Sequence, residues 1–149
     1  MSAIKDIFDL VKDLSKDVEA RNNIKNELKD EFKLNLLFLK DIKTGKTVEK
    51  TRMLEIVSNL EMIELDAFLK CPFPKKIISN KKVTPVILKD INANKLLRPK
   101  GEPPVDFEEL CRKIRGMIRY IKKDFSSFKE PKRSLHYIKN YIRVALRLL

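Results

Sequence analysis

The sequence predicts an all-α helical bundle, and three observations favour this fold class. Apolar residues recur at intervals of three and four over long stretches, which is the period of an amphipathic helix. Glycine occurs only three times, whereas the tight turns of an all-β protein need many residues with positive φ. Charged residues of both signs make up 36% of the chain, which suits helices that expose one charged face. The length of 149 residues fits one domain, 1–149, with an ordinary core.

The first element is a long N-terminal helix from Ala3 to about Ile42. Its apolar stripe begins at Ile4 and continues with helical spacing along one face. Polar residues near Asn23 interrupt the stripe, but it resumes in phase at Leu28. We therefore expect one continuous helix, and a break near Asn23 is the alternative.

Residues 34–39 are apolar on most sides of this helix. The apolar side chains are Leu34, Leu36, Leu37, Phe38 and Leu39. A helix that is apolar on most sides is buried on most sides. A helix of about forty residues is about 60 Å long, which exceeds what a compact monomer of this size needs. We therefore expect this region at the centre of the bundle or in a homodimer interface.

A second helix, antiparallel to the first, is predicted over about residues 48–70. Gly45 and Thr47 suit the preceding turn, because glycine adopts positive φ after a helix and threonine caps the next one. Gly45-Lys46-Thr47 also matches the end of a phosphate-binding P-loop. However, Lys40 stands where that motif requires its first glycine, and no strand precedes it. We therefore reject the nucleotide-binding interpretation.

Residues 71–104 are predicted to form an irregular crossover, since they contain six of the seven prolines. Structureless loops of this length are uncommon in compact domains, so we expect short elements here. The sequence predicts a hairpin around Asn80 and Lys81. A short helix should follow, with Thr84 as its cap and Pro85 as its first residue.

Two basic helices are predicted to complete the bundle. Asp106 and Glu109 have the spacing of a capping box, so the third helix should begin there and end near Ser126. The last helix is predicted over about residues 132–149. Both helices combine an apolar stripe with rows of lysine and arginine.

The positive charge is concentrated in the second half of the chain. Residues 1–70, a near-neutral helical hairpin, carry 13 Lys/Arg and 14 Asp/Glu. The crossover 71–104 carries 8 and 2, and the helical pair 105–149 carries 12 and 5. The formal net charge of +12 thus arises behind residue 70. Such asymmetry favours an anionic partner.

The two C-terminal helices are the strongest candidate surface. Lysine and arginine neutralise phosphates, and tyrosine stacks on unpaired bases. The candidate nucleic-acid-binding residues are Arg112, Arg115, Arg119, Tyr120, Lys122, Lys123, Lys132, Arg133, Tyr137, Lys139, Arg143 and Arg147. We therefore expect a non-enzymatic module that binds nucleic acid. The alternatives are an adaptor or inhibitor that docks an acidic protein on the same surface, and a charge that serves solubility alone.

No catalytic residue, metal or cofactor is predicted. Glu61 and Glu64 share a helical face, but di-iron bundles add Glu-x-x-His motifs, and His136 is the only histidine. Ser134 and Glu130 fall on or beside the same helix as His136, so these three side chains cannot assemble a catalytic triad.

The sequence also predicts a cytoplasmic protein without integral membrane contact. Charged residues interrupt the apolar positions of residues 4–14, so no secretory signal is expected. The densest apolar stretch, residues 34–39, is far shorter than the roughly 20 residues of a membrane span. Cys71 and Cys111 form no CxxC motif, which favours reduced thiols. Attachment of the basic C-terminal helix to an anionic membrane surface is a further alternative.

Overall fold

A computed structural model of the chain describes residues 18–91 and 105–149. These residues form helices and connecting turns, and their only β-type pairing is an isolated bridge between Lys82 and Asp106. The α-helices are α1 (Val18–Phe38), α2 (Lys50–Asn59), α3 (Ile63–Lys70), α4 (Pro85–Asp90), α5 (Phe107–Asp124) and α6 (Pro131–Leu148). Two 3₁₀ turns are η1 (Lys75–Ile77) and η2 (Phe125–Ser127). The predicted all-α fold class is confirmed.

Helix α1 passes through Asn22 and Asn23 without a break, so its predicted continuity is confirmed within the described residues. The predicted portion from Ala3 to residue 17 lies outside them. At its other end the prediction was wrong, because α1 ends at Phe38 rather than near Ile42. The chain turns there, and the Ile42 N–H donates to the Leu39 carbonyl (3.0 Å). This turn keeps Leu39 and Ile42 fully buried in the core.

The predicted single helix over residues 48–70 was wrong, because residues 60–62 separate α2 from α3. The Asn35 side chain of α1 binds both backbone groups of Glu61. Its Nδ2 donates to the Glu61 carbonyl (2.8 Å), and its Oδ1 accepts from the Glu61 N–H (2.9 Å). Backbone N–H and carbonyl groups need hydrogen-bond partners when a helix is interrupted. Asn35 supplies these partners to Glu61, so the chain bends here without leaving them unpaired.

Glu31, one turn before Asn35 on α1, caps the start of α3. Its two carboxylate oxygens accept from the N–H groups of Glu64 (3.0 Å) and Leu65 (2.8 Å). These are N–H groups that a helix leaves without internal partners. Burial raises the pKa of Glu31, although the same N–H groups act in the opposite direction. We call the contacts of Glu31 and Asn35 with residues 61–65 the α1 latch.

The core lies where α5 and α6 pack against each other and against α1 and α3. The buried stripes match the apolar spacing of the sequence. They comprise Phe107, Leu110, Ile114, Ile118 and Ile121 of α5 and Leu135, Ile138, Ile142 and Ala145 of α6. Both C-terminal helices therefore direct their remaining faces, which carry the lysines and arginines, away from the core.

In the described part of the crossover, the predicted short helix is present and the predicted hairpin is not. The hairpin around Asn80 is absent from residues 71–91, where η1 precedes a turn with Ile78 buried. Ser79 Oγ donates to the Leu148 carbonyl at the end of α6 (2.6 Å), which holds this segment against the bundle instead of against a second strand. The short helix is confirmed as α4, and Thr84 Oγ1 accepts from the Ile87 N–H (3.3 Å).

The apolar region at the end of α1 is buried on part of its circumference. Asn35 and Leu39 are buried, and Leu36 and Phe38 are partly buried against the core, whereas Leu37 is 59% exposed and Leu34 is 36% exposed. The expectation of burial on most sides therefore fails within this protomer at Leu34 and Leu37. The homodimer interface stays a prediction, since the exposed leucines are its candidate contacts.

The α1 latch predicts that Asn35→Leu destabilises the fold. Leucine has a similar volume, but it leaves the N–H and carbonyl of Glu61 without their partners. We expect the free energy of unfolding to fall by about 2 kcal/mol, measured by urea denaturation. Asn26→Leu, at an exposed position of the same helix, is the matched control and should cost nothing. Equal stability of the two variants would contradict the role of the latch.

Candidate functional site

The basic row of α5 faces α2 and α3, and it is largely engaged within the fold. Asp66 of α3 binds two of its members, with Arg119 Nη2 at 2.8 Å and Arg115 Nη1 at 3.8 Å. Lys122 Nζ donates to the Ser58 carbonyl of α2 (3.3 Å). Arg112 pairs with Glu108, one turn earlier on its own helix (3.1 Å). Two carboxylates thus pair with the three arginines of this row, which leaves one unit of positive charge unbalanced.

The basic row of α6 lies beside the loop that connects α1 to α2. Lys139 Nζ donates to the Ile42 carbonyl (2.9 Å), and Lys132 Nζ donates to the Lys46 carbonyl. Carbonyl acceptors satisfy hydrogen bonds but carry no net charge, so both ammonium groups keep their full positive charge. The row ends at Arg147, which pairs with Asp90 of α4 (3.2 Å).

Lys139, Arg143 and Lys43 form a cluster of like charges between this loop and α6. Burial lowers the pKa of Lys139, and the charges of Arg143 and Lys43 lower it further. Asp41 acts in the opposite direction, but its carboxylate is already shared by Lys46 (3.3 Å) and Arg52 (3.2 Å). The cluster therefore keeps a local excess of positive charge.

A groove of about 550 Å³ opens between the α1–α2 loop and the start of α6. Its lining residues are Lys43, Thr44, Gly45, Met53, Lys129, Glu130, Pro131, Lys132, Arg133 and His136. Gly45 has a φ of +78°, which side chains rarely adopt, so glycine shapes the loop side of this first groove. Glu130 approaches Arg133 at 3.6 Å, and both are well exposed.

A second groove of about 440 Å³ lies beside the first turns of α2. Its lining residues are Lys50, Thr51, Leu54, Lys122, Lys123, Phe125 and Ser126. Met53 borders the first groove and Leu54 borders the second, so the two grooves meet α2 at neighbouring positions. The turn between α5 and α6 contributes residues to both grooves.

We call the seven cations that line these two grooves the basic end. They are Lys43, Lys50, Lys122, Lys123, Lys129, Lys132 and Arg133. Among the described residues, Glu130 is the only carboxylate in either lining. Cations gathered around concave surfaces create a local potential of several kT. The basic end is thus the part of this surface best suited to attract a polyanion.

Tyr120 and Tyr137, both predicted to contact nucleic acid, have different environments. Tyr120 is 59% exposed and packs edge-on against Phe128 in the α5–α6 turn, with ring centroids 5.1 Å apart. Tyr137 is partly buried, and the Arg133 guanidinium lies 5.8 Å from its ring centre. Tyr120 therefore exposes an aromatic surface next to the basic end, whereas Tyr137 is partly covered by Arg133.

The structure divides the predicted binding residues among three places. Lys122, Lys123, Lys132 and Arg133 lie at the basic end, with Tyr120 beside them. Lys139 and Arg143 continue along α6. The arginines Arg112, Arg115, Arg119 and Arg147 pair with carboxylates.

Sequence reasoning missed three members of the basic end: Lys43, Lys50 and Lys129. Lys43 and Lys50 were missed because the net charge of residues 1–70 is close to zero. That sum includes acidic residues elsewhere on the front helices, so it does not show where lysines are concentrated. The available signal was local, namely four lysines in residues 40–50 with one aspartate and one glutamate. Lys129 was missed because it precedes the predicted start of the last helix.

Comparisons with protein-family models, curated proteins and solved structures give no match for this chain. Within residues 18–91 and 105–149, no group of three or more His, Cys, Asp or Glu side chains is placed to hold a metal ion. No helix in the same ranges is both long and apolar enough to cross a membrane. The functional assignment therefore depends on the geometry and charge of the basic end.

The shared carboxylate of Asp66 predicts a measurable coupling with Arg119. Asp66→Asn and Arg119→Gln should each lower the free energy of unfolding slightly, with a coupling of about 0.5 kcal/mol in a double-mutant cycle. Arg112→Gln is the control, because its partner is Glu108, and its effect should add to that of Asp66→Asn. Absence of coupling would mean that Arg119 is available to an external anion.

The like-charge cluster predicts that Arg143→Gln or Lys43→Gln raises the pKa of Lys139 toward its ordinary value. A lowered pKa means that the folded protein binds this proton less tightly than the unfolded chain, so Lys139 makes stability increase as pH rises toward 10.5. Either variant should reduce that increase. NMR titration of the Lys139 side chain measures the pKa, with Lys76→Gln as a distant control. An unchanged pKa in both cluster variants would contradict the proximity of these charges.

Proposed function

We propose that this protein is a non-enzymatic binding module that contacts nucleic acid through the basic end. One observation carries the proposal: seven lysines and arginines and a single carboxylate line two adjoining grooves. Holding like charges together in the folded state is unfavourable. A phosphate backbone relieves this repulsion and releases its own counterions on binding.

The proposal is narrower than the surface expected from sequence. It excludes Arg112, Arg115 and Arg119 as principal contacts, because each guanidinium is already engaged with Glu108 or Asp66. It retains Lys139 and Arg143, which extend the positive surface from the first groove along α6. A strand bound at the basic end could therefore continue beside the α1–α2 loop.

The composition of the basic end favours nucleic acid over an acidic protein. Six of its seven cations are lysines. Lysine is depleted in protein–protein interfaces, where arginine is enriched. A lysine ammonium binds a phosphate as a point charge, so the scarcity of arginine argues against a protein interface without arguing against a phosphate backbone. An acidic protein partner remains the alternative that the following experiment distinguishes.

Charge reversal at the basic end should weaken nucleic-acid binding. Lys43→Glu with Lys129→Glu changes two exposed lysines whose ammonium groups make no hydrogen bond or ion pair within the described residues. We expect the affinity for a fluorescent oligonucleotide, measured by anisotropy, to fall at least about tenfold. Lys70→Glu with Lys76→Glu is the control, because it changes the net charge equally at exposed positions elsewhere.

The salt dependence provides a second measure of the same contacts. The logarithm of the wild-type association constant should fall linearly with the logarithm of salt concentration, with a slope of magnitude up to about 5 for seven contacts to a single strand. The Lys43/Lys129 variant should have a shallower slope. Equal losses in both variants would mean that only net charge matters. Absence of binding at low salt, with stoichiometric co-purification of a protein, would favour the adaptor alternative.

A further inference from the structure

Tyr120 is an exposed aromatic ring close to the cations of the basic end. It lies on α5 one turn before Lys123 of the second groove. It packs edge-on against Phe128 (5.1 Å, interplanar angle 62°), the residue before Lys129 of the first groove. This contact leaves 59% of Tyr120 exposed. An exposed ring near cations is the arrangement on which an unpaired base stacks.

The two grooves combine apolar side chains with cations. Leu54 is 51% exposed and contributes apolar surface to the second groove, whereas Met53, Phe125 and Pro131 are buried in the groove walls. A base can thus contact Leu54 while the lysines around it contact the adjoining phosphates.

This geometry differs from that used to read a duplex. Proteins that read B-DNA usually insert a helix or a β-ribbon into a major groove about 12 Å wide. At the basic end the protein surface is itself concave, and the cations line its recesses. A duplex keeps its bases stacked inside and cannot place them in these recesses, whereas a single strand can.

We infer that the nucleic acid bound at the basic end is single-stranded, with unpaired bases on Tyr120 and on Leu54 of the second groove. This inference rests on the proposed function and specifies its substrate class. Met53 of the first groove and Leu54 of the second are consecutive residues of α2, so one strand that crosses this helix contacts both grooves. The expected binding footprint is about 4 nucleotides, which is the lower end of the range for single-strand-binding domains.

The test compares Tyr120→Ala and Tyr120→Phe with two probes, an unstructured oligo-dT of about 12 nucleotides and a hairpin duplex with a stem of about 12 base pairs. We expect the wild type to bind oligo-dT more tightly than the duplex. Tyr120→Ala should lower the affinity for oligo-dT about tenfold and leave the duplex affinity unchanged. Tyr120→Phe keeps the ring and should retain wild-type affinity. The salt slope should be equal in all three proteins, because no phosphate contact is removed.

Leu54→Ala is a second variant that does not depend on the contact between Tyr120 and Phe128. Leu54 is 51% exposed, so its truncation should leave the fold intact while reducing oligo-dT affinity severalfold. Tighter binding of the duplex, or equal losses for both probes in Tyr120→Ala, would overturn the inference and leave the proposed function standing. Failure of the wild type to bind either probe at low salt would instead contradict the proposed function.

Discussion

The α1 latch is the constraint on which the rest of the structure depends. Glu31 and Asn35 project from one side of α1 and bind the backbone of residues 61–65. These contacts end α2, begin α3 and attach both helices to α1. As a result, α3 brings Asp66 to Arg115 and Arg119 of α5. The first turns of α2 lie near the C-terminal end of α5, beside the two grooves. Two polar side chains in an otherwise apolar stripe thus organise the arrangement of four helices.

This arrangement assigns different roles to cations that look equivalent in sequence. Arg115 and Arg119 meet Asp66, so their charges contribute to packing of α5 on α3. Lys132 and Lys139 donate to backbone carbonyls of the α1–α2 loop, which fixes their positions without neutralising them. The fold therefore concentrates its unbalanced charge where the α1–α2 loop and the α5–α6 turn meet. That position is concave, and an exposed tyrosine, Tyr120, lies beside it.

Features set by local chemistry could be predicted from the sequence. Asp106 caps α5 by accepting from the Glu109 N–H (2.8 Å), and Thr84 caps α4, as their spacing indicates. The separation of α2 from α3 could not be predicted, because apolar spacing continues across residues 60–62 and the cause is Asn35, 26 positions away. The pairing of Arg119 with Asp66 could not be predicted either, because the two residues are 53 positions apart in the sequence.

Only part of the candidate site could be predicted, because the rest of it also depends on contacts between distant parts of the chain. Charge counting identifies the basic half of the chain, but it cannot show which cations are neutralised or which lysines of the front half join them. Lys43 and Lys50 come to the site only because α1 ends at Phe38 and the chain turns back toward α6. That turn depends on the burial of Leu39 and Ile42, whose spacing is equally compatible with a longer helix.

The most direct test of the central claim is an NMR titration of the isotope-labelled protein with a short oligonucleotide. The largest chemical-shift changes should occur at Lys43, Lys129 and the residues around them in the two grooves, and they should extend along α6 toward Arg143. The largest changes at Arg112 and Arg115, with the basic end unaffected, would contradict the account. Absence of any change at low salt would remove the basis for proposing a nucleic-acid ligand.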